Sequence, residues 1–597
     1  MENSRAPAAR GGRNRNAQRG KPGAFSQQNR SNHSTAGSSE APKMAPRVAT
    51  PPLTEPVPLD TPRFADLAKE NLLDPVVLKT IVEDMKFDHM TPVQAATLLP
   101  LLKERGTDIL AQAKTGTGKT VAFLLPAIQS MLNRKPQPGQ FVSLLVISPT
   151  RELALQIANE AQKILARRPE YSVCTAIGGT NQNTEERKII KGCDILIGTP
   201  GRLLDHFTNN ERNSQAIQAK MQRIDTLVLD EADRLLDMGF LTSLKNIISI
   251  LPKREVSERQ SMLFSATVPQ YVDKVAHFAL NKGYKYISTI TEGELNTHER
   301  VPQNLIVVPT FSDMAAALAG ALRQELAHVG PETFKAIVFA PTAALVDFYV
   351  EVLKSVSGLP TPTALHSRAS QSKRTKTTDE FRKAKNGLLI ATDVIARGMD
   401  FPAVTNVFQA GIPADKESYV HRLGRTARAG AEGRGTFLVT SAEAFFPKYT
   451  LKDIDFVESK PNLDARTDVQ RIAQKLAPEV QNKAYQAWLG FYKTFMKSMR
   501  WDAETLVAEA NKLALDGLGA PEVPTLYKST VGKMGLRGTR GLVVGPDPMK
   551  APRGGYGRGG GGAQGGGRGD QGGQGGWSSG GGGGGGGGGY GGESGRW

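Results

Sequence analysis

The sequence predicts an α/β protein of two tandem parallel-sheet lobes with a helical C-terminal extension and disordered basic tails at both ends. Three observations carry that prediction. Short apolar runs alternate with helical stretches in two separate blocks of the chain, and the periodicity then becomes purely helical. Both ends are too poor in large apolar side chains to repay the entropy of folding. The length of 597 residues also exceeds what one core supports.

Residues 1–60 are rich in Arg, Asn, Gly, Ser and Pro, which predicts a disordered basic arm. The excess of arginine over acid is shared with mitochondrial presequences, yet Glu2 and the scattered glycines and prolines interrupt any amphipathic helix, and a basic RNA-binding arm fits the same composition. Residues 61–287 form the first lobe, where FVSLLVIS, DILIGT and DTLVLD have the continuous apolar character of buried parallel strands. Residues 288–302 are polar and aperiodic, an interlobe linker. Strand-helix alternation resumes over 303–447 with NLIVVP, KAIVFA, GLLIAT and NVFQAG, the second lobe. Over 448–548, AYQAWLGFYKTFMKSMRW and AETLVAEANKLALDG repeat apolar residues at three- and four-residue spacing, predicting helices that cap lobe two. Residues 549–597 are mostly glycine with Arg553, Arg558 and Arg568, a tail suited either to touching nucleic acid or to serving as an inert linker.

A formal charge of +17 and a pI near 9.6 favour polyanionic partners, nucleic acid before membrane surfaces. No uninterrupted apolar stretch approaches the roughly 20 residues of a spanning helix, so no membrane partner is expected. Cys174 and Cys193, the only cysteines, lack metal-ligand spacing, which argues against structural zinc and fits a reducing compartment or a fold without disulfides.

The chemistry is concentrated in two segments of lobe one. In AKTGTGKT at 113–120, Gly116 and Gly118 let backbone N–H groups turn towards an anion, Lys119 offers a charge to the outer phosphates, and Thr120 offers a hydroxyl to Mg²⁺. Thr115, Gly116, Thr117, Gly118, Lys119 and Thr120 are therefore the predicted nucleotide cradle. Ala113 replaces the first glycine of the general pattern, and a chance glycine-rich turn is the competing reading. Asp230-Glu231-Ala232-Asp233 follows the apolar run IDTLVL, placing Asp230 at a strand's carboxyl end, able to hold Mg²⁺, with Glu231 able to orient an attacking water. Alone that tetrad could be a solvated acidic turn; with the cradle it points to an ATP-driven motor using ATP and Mg²⁺.

The motif series across both lobes, about 380 of the 597 residues, resembles the DEAD-box RNA helicases. That resemblance implies two RecA-like lobes and assigns roles. Phe87 and Gln94 in FDHMTPVQ look like the adenine reader, with Phe64 its more distant aromatic; a core phenylalanine and a surface amide are the bland alternative. SPTRELALQ, Gly178-Gly179 and TPGR resemble the strand-gripping loops, which implies RNA contacts from Pro149, Thr150, Arg151, Gly178, Gly179, Thr199, Pro200, Gly201 and Arg202. Ser265-Ala266-Thr267 resembles the element coupling nucleotide state to RNA binding, acting on the carboxylates of Asp230 and Asp233. In lobe two, Gln371 and Arg374, Thr392-Asp393 and Asp400 complete the series, with Arg374, Thr392 and Asp393 as RNA contacts and Asp400 as a ribose contact. By resemblance Arg425 and Arg428 are arginine fingers, while His421 and Arg422 couple to the carboxylates across the cleft; a structural ion-pair network is the alternative.

Ala427 where most relatives carry glycine, together with Met399 and Phe401 in ARGMDF, makes the chain similar to the fungal mitochondrial DEAD-box RNA chaperones of group I and II intron splicing. The segment APT at 340–342 departs from the usual CNT. The resemblance implies an RNA-dependent ATPase with little sequence preference that parts short duplexes without processive travel and remodels structured or double-stranded RNA as a monomer in the mitochondrial matrix, with nucleus or cytoplasm as the alternative compartment. An ATP-gated RNA clamp or annealing protein uses the same motifs, and a DNA translocase of the same architecture is a third reading that the ARGMD ribose contact disfavours.

Overall fold

The computed structural model describes residues 61–548 apart from 105, 135–136, 210, 254–257, 268–269, 291–300, 397–398 and 428–431. The predicted N-terminal arm and glycine-rich tail lie outside the described residues, as do Arg428 and most of the linker.

Lobe one is a seven-stranded parallel sheet in the order β3-β4-β2-β5-β6-β1-β7. Its strands are β1 (Ile109–Gln112), β2 (Leu144–Ile147), β3 (Val173–Ala176), β4 (Ile195–Gly198), β5 (Thr226–Leu229), β6 (Gln260–Ser265) and β7 (Lys285–Ser288). The central strands β2, β4 and β5 are buried at every position, as expected when helices cover both faces. Lobe two repeats the topology. Its strands are β8 (Gln303–Val308), β9 (Lys335–Phe339), β10 (Pro362–Leu365), β11 (Gly387–Ala391), β12 (Asn406–Ala410), β13 (Arg434–Thr440) and β14 (Val457–Ser459), in the order β10-β11-β9-β12-β13-β8-β14. Counted from the first strand of each lobe, the two orders are the same, the arrangement of tandem RecA-like lobes.

That repeat sets a boundary differently from the sequence reading. Strand β14 pairs in parallel with β8 through Val457, Glu458 and Ser459, so lobe two is completed inside the segment assigned to the helical extension. All three residues are exposed at the sheet edge, and a three-residue edge strand carries almost no apolar signal. The extension also holds a small parallel pair, β15 (Leu526–Tyr527) and β16 (Val544–Gly545).

The extension shares one hydrophobic core with lobe two. Phe311, just after β8, meets Trp488 and Tyr492 of helix Pro478–Tyr492 with ring centroids 4.9 Å apart in each case, both edge-on. Buried Glu443 joins the same elements, accepting from the Tyr492 hydroxyl at 2.6 Å and from the Ile412 N–H at 3.0 Å. A buried carboxylate costs several kcal/mol unless its oxygens are bonded, so these contacts tie the extension to the segment leading into helix Lys416–Leu423.

Candidate functional site

After β1 the chain turns through the glycine-rich loop into helix Lys119–Arg134. Gly116 and Gly118 have φ of +80° and +87°, a region open to glycine at no steric cost. A Cβ on Gly118 would also fall 2.5 Å from Gln94 Nε2. Thr117 Oγ1 closes the loop by donating to the Lys114 carbonyl at 2.8 Å. Lys119 is buried, its Nζ donating to the Ala113 carbonyl at 3.2 Å and lying 3.8 Å from Glu231 Oε1. Residues Thr115 to Thr120 line an open cleft of about 1270 Å³ with Asp230 and Glu231, and Asp400 reaches it from lobe two.

The far end of that cleft is aromatic. Phe64 and Phe87 line it with ring centroids 6.3 Å apart. Gln94 Oε1 accepts from the Thr91 N–H at 2.8 Å and Nε2 donates to the Gly118 carbonyl at 3.2 Å. The amide retains one N–H and one lone pair beyond these bonds, a donor-acceptor pair of the kind an adenine edge matches. The Asp400 N–H donates to Gln156 Oε1 at 3.2 Å, a bond between the lobes at the cleft mouth.

Asp230 stands at the carboxyl end of β5, where ligands of open α/β sheets bind. Burial first, and then the neighbouring Glu231 charge, push its carboxyl up to about 7. Glu231 is buried with φ of +50°, a left-handed conformation uncommon for a residue with a Cβ, and its Oε2 has no hydrogen-bond partner among the described residues. Two adjoining buried carboxylates with one lysine nearby form a donor set suited to a hard divalent cation, with the Thr120 hydroxyl beside them on the cleft wall. Among the described residues no group of three or more His, Cys, Asp and Glu could hold a metal by itself, so the remaining ligands would be phosphate oxygens and water.

The nucleotide-free protein should register that burial. Between about pH 4 and 7 the folded chain carries a proton on Asp230 that the unfolded chain lacks, so stability falls as pH rises through that window and the full penalty persists above it. Asp230→Asn is therefore expected to raise the melting temperature at pH 8, by about 2 kcal/mol of stability, with a smaller gain at pH 5. Thermal unfolding without nucleotide or Mg²⁺ at the two pH values checks it.

Asp233 is the hub of the coupling residues. Thr267 Oγ1 donates to Asp233 Oδ2 at 3.0 Å, the Asp233 N–H donates to Ser265 Oγ at 3.4 Å, and Ser265 Oγ donates to the Thr267 carbonyl at 2.6 Å. His421 Nε2 from lobe two lies 3.5 Å from the same Oδ2. The sequence reading gave Ser265 and Thr267 both carboxylates; the described contacts run to Asp233, while Asp230 Oδ1 accepts from the Glu231 N–H at 3.0 Å.

The loops expected to grip RNA sit together at the carboxyl ends of β2, β3 and β4. Thr150, after Pro149, caps helix Arg151–Ile164 by accepting from the Leu153 N–H at 3.3 Å. The Arg151 guanidinium lies against Gly178 and Gly179, where added Cβ atoms would fall 2.6 and 2.7 Å from its nitrogens. The Thr199 N–H donates to the Ala176 carbonyl at 3.0 Å, Pro200 opens helix Pro200–Thr208, and open space surrounds the Cβ position of Gly201. Arg202 Nη1 donates to Glu185 Oε2 at 3.1 Å.

The lobe-two residues read as RNA contacts and arginine fingers have partners within the protein. Arg374 is buried, its Nη2 donating to Glu152 Oε2 at 2.5 Å, and Gln371 Nε2 donates to Glu152 Oε1 at 3.1 Å. Asp393 accepts a bidentate pair from Arg422, Nε to Oδ1 at 2.6 Å and Nη2 to Oδ2 at 2.9 Å. The Thr392 N–H donates to the Leu365 carbonyl at 3.3 Å. Arg425 is buried and donates to the backbone carbonyls of His421 and Met399. Ala427 has φ of +51°, a left-handed conformation that costs alanine about 1 kcal/mol. Sequence reasoning missed Glu152 and Gln156, whose partners lie in the other lobe, and Glu185, whose partners lie 5 to 21 residues away.

Residues 91–275 match the DEAD/DEAH box helicase family and residues 319–430 match the helicase conserved C-terminal domain. The chain is 42% identical over 490 residues to the mitochondrial ATP-dependent RNA helicase MSS116 of Phaeosphaeria nodorum, covering 81% of this chain and 86% of that protein. It is 43% identical over 477 residues to DEAD-box ATP-dependent RNA helicase 26 of Oryza sativa subsp. japonica, covering 79% and 84%. The solved structure of Mss116p with its N-terminal extension and C-tail deleted, bound to single-stranded RNA and AMP-PNP, superposes with a TM-score of 0.72 at 31% identity over 82% of this chain and 98% of that one.

Proposed function

Because the chain belongs to the DEAD-box family of ATP-dependent RNA helicases, we propose that it parts short RNA duplexes locally, without processive travel, and remodels structured RNA, with intron RNAs in splicing as its substrates. ATP binds with its phosphates on Thr115 to Thr120 and its base between Phe87 and Gln94. Thr120 and Asp230 would hold Mg²⁺, which when bound neutralises charge on the outer phosphates. Glu231 orients the attacking water and takes its proton, and Arg425 and Arg428 supply planar positive charge as the γ-phosphoryl leaves. Asp400 takes a nucleotide hydroxyl.

RNA lies across Pro149 to Arg151, Gly178-Gly179 and Thr199 to Arg202, reaching lobe two near Arg374, Thr392 and Asp393. Backbone N–H groups, hydroxyls and guanidinium groups bind phosphate without reading bases, so sequence preference is weak. The observation that supports coupling is Asp233, which meets Thr267 of lobe one and His421 of lobe two at one carboxylate oxygen. Closure that brings these groups together is favoured by both ATP and RNA, so each ligand strengthens the other's binding by the same factor.

Magnitude favours local action. At about 1.4 kcal/mol per base-pair step a few pairs cost several kcal/mol, whereas some twenty pairs cost roughly 28, beyond one closure event. Strand separation is expected to slow steeply beyond one helical turn and ATP hydrolysis to be stimulated by RNA and not by DNA, both lost in Lys119→Ala. A rate independent of duplex length overturns non-processive action. Relatives named as mitochondrial support a mitochondrial matrix location, where the protein acts as a monomer; a fluorescent fusion confined to nucleus or cytosol overturns the compartment, and sedimentation of a stable dimer overturns the monomer.

A further inference from the structure

Beneath the RNA-gripping loops of lobe one lies a carboxylate that polyanion binding alone would disfavour. Glu185, in helix Gln182–Lys191, is buried beside the turn that carries Gly178 and Gly179. Its Oε1 accepts from the Ile177 N–H at 3.2 Å and from the Thr180 hydroxyl. Its Oε2 accepts from Arg202 Nη1 at 3.1 Å and faces His206 Nε2 at 2.8 Å. One side chain thus joins two other segments, the glycine turn after β3 and the helix Pro200–Thr208 that carries Arg202 and His206.

We propose that Glu185 is a positioning residue for RNA, holding the Arg202 guanidinium and the Gly178-Gly179 turn in one preformed phosphate cradle. Arg202 Nη2 also donates to the Thr180 carbonyl at 3.3 Å, so the described contacts fix the guanidinium plane with two of its five N–H donors and leave the others for a phosphate. The glycine turn gains from the same anchor. Gly179 has φ of +86°, and the Ile177 N–H and Thr180 hydroxyl that flank it both end on Glu185 Oε1. Prepaid order of this kind is what lets a few contacts bind phosphate tightly. The inference rests on the reading of Arg202 as a phosphate contact.

Charge and position make opposite predictions here. A carboxylate near RNA repels phosphate, so if Glu185 acted only through its field, Glu185→Gln would tighten binding. If it positions, the amide presents an N–H either to Arg202 or to the Ile177 N–H, each of which needs an acceptor, and binding weakens. The test measures binding of a short fluorescein-labelled single-stranded RNA to the full chain with AMP-PNP and Mg²⁺, by anisotropy, for the wild type, Glu185→Gln, Arg202→Ala and the double variant. The expected result is a loss of about tenfold for Glu185→Gln, no further loss when it is added to Arg202→Ala, and AMP-PNP affinity without RNA unchanged. Unchanged or tighter binding by Glu185→Gln, or additive losses, overturns the positioning role while the loop's RNA assignment stands on Arg202→Ala. If Arg202→Ala binds normally, the loop assignment falls and the proposal with it. Should Glu185→Gln not fold, Arg202→Lys serves instead: it keeps the charge and loses the fork, so a loss of about tenfold supports the role and wild-type binding overturns it.

Discussion

Glu231→Gln is expected to lower RNA-stimulated ATP turnover by about 10³-fold while leaving nucleotide affinity nearly unchanged. Glu231 is buried, with Oε1 3.8 Å from Lys119 Nζ and Oε2 without a hydrogen-bond partner among the described residues. Glutamine has the same shape and can still accept a hydrogen bond, but it cannot take a proton from water at neutral pH. The contacts between the lobes, His421 at Asp233, Asp400 on Gln156 and Arg374 on Glu152, do not involve Glu231. The variant should therefore close on ATP and RNA and then stall, so RNA dissociation in ATP should slow to the rate seen with AMP-PNP. Turnover within about tenfold of wild type would remove Glu231 from the proton-accepting role. The accompanying affinity measurement separates this from Lys119→Ala, which removes the charge proposed to face the phosphates themselves.

Fold and site were not equally legible in the sequence, because they depend on different ranges of contact. FVSLLVIS, DILIGT and DTLVLD became β2, β4 and β5 because a strand covered on both faces must be apolar throughout, a property of its own few residues. Strand β14 is exposed at an edge and left no such mark, which moved the end of lobe two past residue 447. The glycines at 116 and 118 were readable because left-handed backbone demands them locally. Glu152 was not. It stands 219 residues from Gln371 and 222 from Arg374, and only the approach of two lobes gives it partners. For the same reason Arg374, which resembles an RNA contact by motif, is buried in an ion pair, whereas Asp393 is held within lobe two by Arg422, 29 residues on. A motif reports that a residue is used; its partners depend on how the lobes meet.

That ion pair yields the second large effect. Arg374→Ala is expected to reduce RNA-stimulated ATP hydrolysis by about 10²–10³-fold, through a cost of about 3–5 kcal/mol on closure when one partner of a buried pair is removed. Each lobe supplies one charge, so with the lobes apart both ions are solvated, and with the lobes together both are buried, Glu152 3% exposed and Arg374 4%. Closure without Arg374 must bury the Glu152 carboxylate against Gln371 alone, its other oxygen losing the guanidinium. The penalty falls on the equilibrium between open and closed lobes, leaving ATP binding to lobe one and the melting of each lobe unaffected. Desolvation also predicts a rescue. Converting both sides, Glu152→Gln with Arg374→Met, leaves no buried charge unpaired and should recover at least about tenfold of the lost rate, a non-additivity that independent contacts would not give. Steady-state hydrolysis across the two single variants and the double decides it: additive losses would mean that the pair does not hold the lobes together, and that Arg374 acts on RNA directly.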